Sequence, residues 1–238
     1  MNATQAYLWS TYGYYHDQLG ETSTAIEDYE RELATYPERV GVYKDIASAH
    51  ARRGEKKEEK ETLIKWAAAD SKNPAPSLTL AVMLLNDGNA AAAVKSAEEA
   101  VSRLPADKKS NEAFQLVLGR AQMKAGMKEK GHDTLLAMMK ATQNPMMLND
   151  SAYELAEAGE ELAADESAAR KAMEMMTEQS KTWTLDENPQ ALITKSRELF
   201  AIWDTLGWIL FREGKLDEAD DYLKAAWRNT QSDLWPNI

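Results

Sequence analysis

The chain has no cysteine, only three histidines and no apolar run near the length of a membrane-spanning helix. Without cysteine there is no disulfide scaffold, no thiol nucleophile and no cysteine-ligated metal. Positive charge is also scarce. Lys and Arg number 28 against 39 Asp and Glu, a formal charge of -11, so binding along a nucleic-acid backbone is disfavoured. The N-terminus lacks the basic, apolar, small-residue order of a signal peptide. What remains is a chain of 238 residues, 44% hydrophobic and 28% charged, with a mean hydropathy of -0.57. That describes a soluble, acidic, helical protein with enough chain for one large domain or two ordinary ones.

Glycine is infrequent, and its spacing is regular. Gly20, Gly54 and Gly88 stand 34 residues apart, and Gly126, Gly159 and Gly214 follow at steps of 38, 33 and 55. Seven residues before each stand Gly13, Ala47, Ala81, Gly119, Ala152 and Gly207, all small. Five residues after stand Ala25, Glu59, Ala93, Gly131, Ala164 and Ala219; nine after stand Tyr29, Leu63, Ala97, Leu135, Ala168 and Leu223. A small residue lets one helix approach another closely. A glycine ends the first helix where the chain enters the left-handed region. The small residue five later is expected to face the first small position across the hairpin. Pro37, Pro105 and Pro145 punctuate the ends of units. Each unit reads as a helix–turn–helix hairpin too small to stand alone.

Trp203, Leu206, Gly207, Gly214, Ala219, Leu223 and Ala226, with Trp9, Tyr12, Gly13, Gly20, Ala25, Tyr29 and Pro37, resemble the tetratricopeptide repeat. The resemblance implies an all-α, right-handed α-solenoid of about six units and twelve helices, in a single array over 1–238. Its units lie near 6–39, 40–73, 74–107 and 112–145. They are followed by a degenerate unit at 146–176, an insertion at 177–188 and a final unit at 189–233, whose first helix is expected to run from Pro189 to Phe211. Glu59, in a slot that wants a small residue, predicts a splayed or shifted second hairpin. The segment Ile202–Asp233 also resembles the last repeats of large bacterial repeat proteins, some with a transglutaminase-like domain upstream. Neither end shows a polar capping helix, so the chain is expected to be part of a longer protein; a further alternative is a structural array whose open ends promote self-association. Tyr7, Trp9, Tyr12, Trp227, Leu234 and Trp235 are the exposed groups expected there.

Little in the sequence points to catalysis. His16 and His50 occupy the same repeat position and read as structural residues. Carboxylates fall in runs typical of solvated helix faces, and no phosphate-cradling or nucleophile motif is present. No enzyme activity and no cofactor or metal is expected. Methionines concentrate between 138 and 176, either as adaptable core filling or as a plastic surface for an apolar partner.

The resemblance implies a scaffold that binds a protein, peptide or helix on the face lined by first helices. The alternative is a docking or regulatory segment of a larger, transglutaminase-like bacterial enzyme. Repeat register places Tyr7, Tyr14, Lys44, Arg52, Leu78, Val82, Leu116, Arg120, Lys124, Trp208 and Arg212 on that face. Lys44, Arg52, Arg120 and Lys124 flank the apolar Leu78 and Val82, which predicts an acidic partner. Lys44 matches the lysine of the carboxylate clamp found in some relatives, but Ser48 replaces its asparagine, so no clamp is expected. No nucleic acid and no membrane insertion are expected, and a bacterial origin would allow either cytoplasm or periplasm.

Overall fold

The computed structural model describes residues 7–109, 111–159, 161–184 and 186–230. Twelve α-helices occupy them, and no strand occurs among the described residues. They form six hairpins: α1 (Leu8–Gln18) with α2 (Thr22–Thr35), α3 (Val42–Arg52) with α4 (Lys56–Ala69), α5 (Ala75–Asn86) with α6 (Ala90–Arg103), α7 (Glu112–Lys124) with α8 (Lys128–Ala141), α9 (Pro145–Ala158) with α10 (Leu162–Ser180), and α11 (Pro189–Arg212) with α12 (Leu216–Thr230). The helices pack as two compact units, one ending at Lys109 with α1–α6 and one from Ser110 with α7–α12.

The repeat glycines all take positive φ, between 71° and 79°, where a side chain would be strained. In five of the six turns the residue after the glycine donates its N–H to the carbonyl five positions back, as Glu21 does to His16 and Lys215 to Leu210, both at 2.9 Å. That bond satisfies a carbonyl left open at the helix end. Second and first helices start on side-chain caps in several places. Asn89, Asn111, Asn144 and Asn188 each accept a bond from a backbone N–H of the first turn, with Pro145 and Pro189 next to two of them.

The small first-helix residues are where the hairpins close, but their partner is not the small residue of the second helix. A Cβ on Gly13 would lie 2.6 Å from Tyr29, one on Gly119 2.6 Å from Leu135, and one on Gly207 2.7 Å from Leu223. The facing residue is thus the apolar one nine after the turn glycine. The small residue five after it accommodates a different neighbour: a Cβ on Gly131 would meet Met123 at 2.6 Å.

The fifth hairpin departs from this register. Its second helix starts three residues after Gly159, whereas the others start two after their glycines. Ala164 is consequently exposed, and Asp165 takes the buried slot filled elsewhere by Ala25, Ala93 and Ala219. The second hairpin, by contrast, is not splayed. Glu59 is only half-buried, and Ala47, Leu63, Trp66 and Met83 close a core beside it.

The expected insertion at 177–188 begins as helix and continues as a connection. α10 continues to Ser180 and reaches 19 residues against 14 in α2, α4, α6 and α8; α11 has 24 against 11 to 14 in the other first helices. At 1.5 Å per residue, α11 gains roughly 15 Å. Trp183, in the connection, packs against the core of Leu148, Ala152, Ala169, Met176, Ile202, Leu206, Ile209 and Leu210. Lys195 lies 5.7 Å from the Trp183 ring and also bonds Glu187.

Candidate interaction faces on the first helices

The two units each present a row of first helices, α1, α3 and α5 in one and α7, α9 and α11 in the other. In the first unit, Tyr7, Tyr14, Lys44 and Arg52 are exposed, Leu78 is half-buried and Val82 is 40% exposed. Tyr7 sits at the start of α1 with a φ of 79°, and the Arg39 guanidinium covers its ring at 3.7 Å. Arg52 donates to Asp17 at 2.5 Å, joining the ends of α3 and α1. The Lys44 side chain makes no hydrogen bond or ion pair among the described residues. The neighbouring Asp45 carboxyl is pushed up by burial, with Lys44 opposing.

In the second unit the basic residues are organised around a buried acid. Glu154 on α9 has a side chain only 2% exposed; Arg120 Nε donates to it at 2.8 Å and Lys124 Nζ stands 3.9 Å away. Two cations therefore share one carboxylate, and their own side chains stay 44% and 53% exposed. On α11, Trp208 Nε1 donates to Glu157 at 2.9 Å and stacks on Phe211 with centroids 5.7 Å apart. Arg212 donates to the carbonyl of Ala156 at 2.9 Å, near the negative end of α9, and lies 3.8 Å from Glu157. A cavity of ≈ 250 Å³ beside these groups is lined by Met123, Lys124, Lys128, Glu154, Glu157 and Ala158.

Not every residue assigned to the face by register is on it. Leu116 is buried with Leu135, Met138 and Leu155. Register also identifies the basic residues but not their acidic partners. Those partners stand one repeat away: Asp17 and Arg52 are 35 residues apart, Arg120 and Glu154 are 34. The signal was available as opposite charges separated by the glycine spacing. Of the groups expected at the ends, Tyr7, Tyr12 and Trp227 are 63%, 46% and 63% exposed, while Trp9 is half-buried under Arg31. Leu234 and Trp235 lie outside the described residues. Trp203, which the repeat pattern would place between paired helices, is half-buried against Phe200. His16 and His50 are hydrogen-bonded locally, to Asp28 at 2.7 Å and Glu55 at 2.8 Å. No described helix is long and apolar enough to cross a membrane.

Residues 200–228 match the family model for the tetratricopeptide repeat. No curated protein matches the sequence. Among solved structures, the chain is similar to PilW, described as a widely conserved type IV pilus biogenesis factor, with a TM-score of 0.66, 13% identity, and coverage of 98% of this chain and 97% of that one. It is also similar to MamA 41-end from Desulfovibrio magneticus RS-1, at a TM-score of 0.57, 18% identity, and coverage of 81% and 97%. A third similar structure is YrrB, titled a TPR protein with an unusual peptide-binding site, at a TM-score of 0.53, 14% identity, and coverage of 94% of each chain. At these identities the likeness is one of fold.

Proposed function

The chain is an α-solenoid of tetratricopeptide-repeat hairpins, and from that premise we propose that it is a non-catalytic scaffold binding a peptide or helix of a partner protein on its first-helix faces. The observation that carries this reading is the α7, α9 and α11 face. It combines half-buried to exposed aromatic groups, Trp208 and Phe211, with cations whose positions are fixed by Glu154 and Glu157. Aromatic and arginine side chains held in place are the residue types that dominate binding energy at interfaces. The similar protein YrrB has a peptide-binding site, which supports the same use of this fold here.

An acidic partner segment fits best. Arg120 and Lys124 bring two positive charges to one carboxylate, and in the other unit the exposed Lys44 side chain forms no ion pair among the described residues, although Asp45 lies beside it. Peptides selected from a random displayed library on the full chain should be enriched in Asp and Glu, and their binding should weaken with salt. Lys124→Gln and Lys44→Glu are the informative variants. Reversing Arg120 would strand Glu154 without its closest cation and disturb folding. Selected peptides with no acidic enrichment, or affinities unchanged in both variants, would refute the acidic-partner reading.

Self-association is a second reading, favoured by one comparison between repeats. Leu8, Tyr12 and Tyr15 on α1 are exposed, whereas the same repeat positions on α3, Val42, Ile46 and Ala49, are buried against α2 and its surroundings. Sedimentation velocity over a concentration series tests it, with Tyr12→Glu/Tyr15→Glu as the variant expected to stay monomeric. A wild-type chain that is monomeric throughout would eliminate it.

A further inference from the structure

Neither face of the proposed scaffold uses the methionine-rich segment or the lengthened stretch where the end of α10 meets the first turns of α11. Together they build a groove of ≈ 510 Å³ within the second unit. Its floor is Met146 and Met147 at the start of α9 and Met176 near the end of α10; Gln143, Gln179 and Glu198 complete its lining with Asn144 and Pro145. The groove lies where the lengthened α10 and the first half of α11 meet the start of α9.

Two properties define what it accepts. The floor is apolar and adaptable, because unbranched thioether side chains refill irregular space with little strain. The rim carries an unpaired carboxylate: Glu198 is half-buried and its side chain makes no hydrogen bond or ion pair among the described residues. The cation one turn before it cannot supply one, because Lys195 is bound to Glu187 and lies over Trp183. A partly buried carboxylate gains from a charge-assisted bond to a guanidinium or ammonium group. The volume is within the usual range of ligand clefts, roughly 300–1,000 Å³.

We propose that this groove is a second binding site, separate from the first-helix faces, for an extended segment that places an apolar side chain on Met146, Met147 and Met176 and a basic side chain against Glu198. The exposed amides of Gln143 and Gln179 are available to the backbone of such a segment. The preference is opposite in sign to that of the first-helix faces. One chain thereby engages an acidic segment on one surface and a basic, apolar one on another.

The test is a titration of the full chain, carrying ¹³C-methyl methionine, with a Gly/Ser peptide containing one central Leu-Arg pair. The methyl resonances of Met146, Met147 and Met176 should move together up to about 10 mM peptide, a range suited to a two-residue contact. A matched Leu-Glu peptide should leave them in place. Glu198→Gln should weaken binding about tenfold, while Lys124→Gln should leave it unchanged. Glu198 is at the surface without a partner, so its variant is expected to fold, and the remaining methionine resonances report whether it does. Absence of movement at the three methyls overturns the proposal. So does an affinity indifferent to Glu198→Gln, or one lost in Lys124→Gln, which would assign the peptide to the first-helix face instead.

Discussion

One extra turn residue after Gly159 carries Asp165 into a slot that three other hairpins fill with alanine. The carboxyl is 2% exposed, and Oδ2 has no hydrogen-bond partner. Burial pushes it up from 3.8 to about 6; Glu161 and Glu213 push the same way and His132 opposes them. Between those two values the folded chain keeps a proton that the unfolded chain releases, so stability falls as pH rises from about 4 to about 6. The full cost above pH 6 is on the order of 3 kcal/mol. Asp165→Ala should therefore stabilise the chain by about 2–3 kcal/mol at pH 7.5 and by little at pH 4, as urea denaturation at the two pH values would show. An equal gain at both would mean that packing, not charge, sets the cost. The glycines under the hairpins predict the opposite outcome. A Cβ on Gly207 would lie 2.7 Å from Leu223 Cγ and 3.1 Å from its backbone nitrogen. Gly207→Ala should cost about 1–3 kcal/mol in the same assay, by overpacking. Small residues were legible from the repeat, and Glu154 and Asp165 were not. Their burial follows from a neighbouring helix or from a one-residue change of register, and composition carries neither.

Among the helices, α11 is the one that belongs to two environments. Its last part pairs with α12, while its first three turns stand beside the end of α10 and the Trp183 connection. Its start was readable because Asn188 and Pro189 form an N-terminal cap whose geometry is local. The end of α10 was not, because nothing between Met176 and Ser180 stops a helix and the repeat period no longer applies there. Trp183 and Lys195 tie the lengthened segment to the connection before it. Trp183→Ala should raise amide exchange over residues 189–197 by on the order of tenfold while leaving α12 protected. Hydrogen-exchange mass spectrometry resolves the two segments. Equal loss of protection in both would show that α11 and α12 open as one body.

At the scale of the molecule, the repeat was legible from its glycines except where the period lapses before α11. The glycine step that spans Lys109 is 38 residues against 34, 34 and 33 beside it, but compactness depends on which helices touch. Each unit has cores of its own, Val42, Ile46 and Leu63 in one and Leu135, Leu148 and Leu206 in the other. A fragment covering 110–238 should thus be helical by circular dichroism and melt cooperatively; a non-cooperative melt would show that the units depend on each other. The family match at 200–228 has a further consequence. The hairpin closest to the repeat consensus is α11–α12, and its interior, Ile202, Leu206, Ile209 and Leu210, is fully buried. In a repeat protein, order spreads from whichever unit is most stable by itself. If α11–α12 is that unit, order would spread from it to α9 and α10, against the direction of synthesis, because Ile202, Leu206, Ile209 and Leu210 share one core with Leu148, Ala152 and Met176.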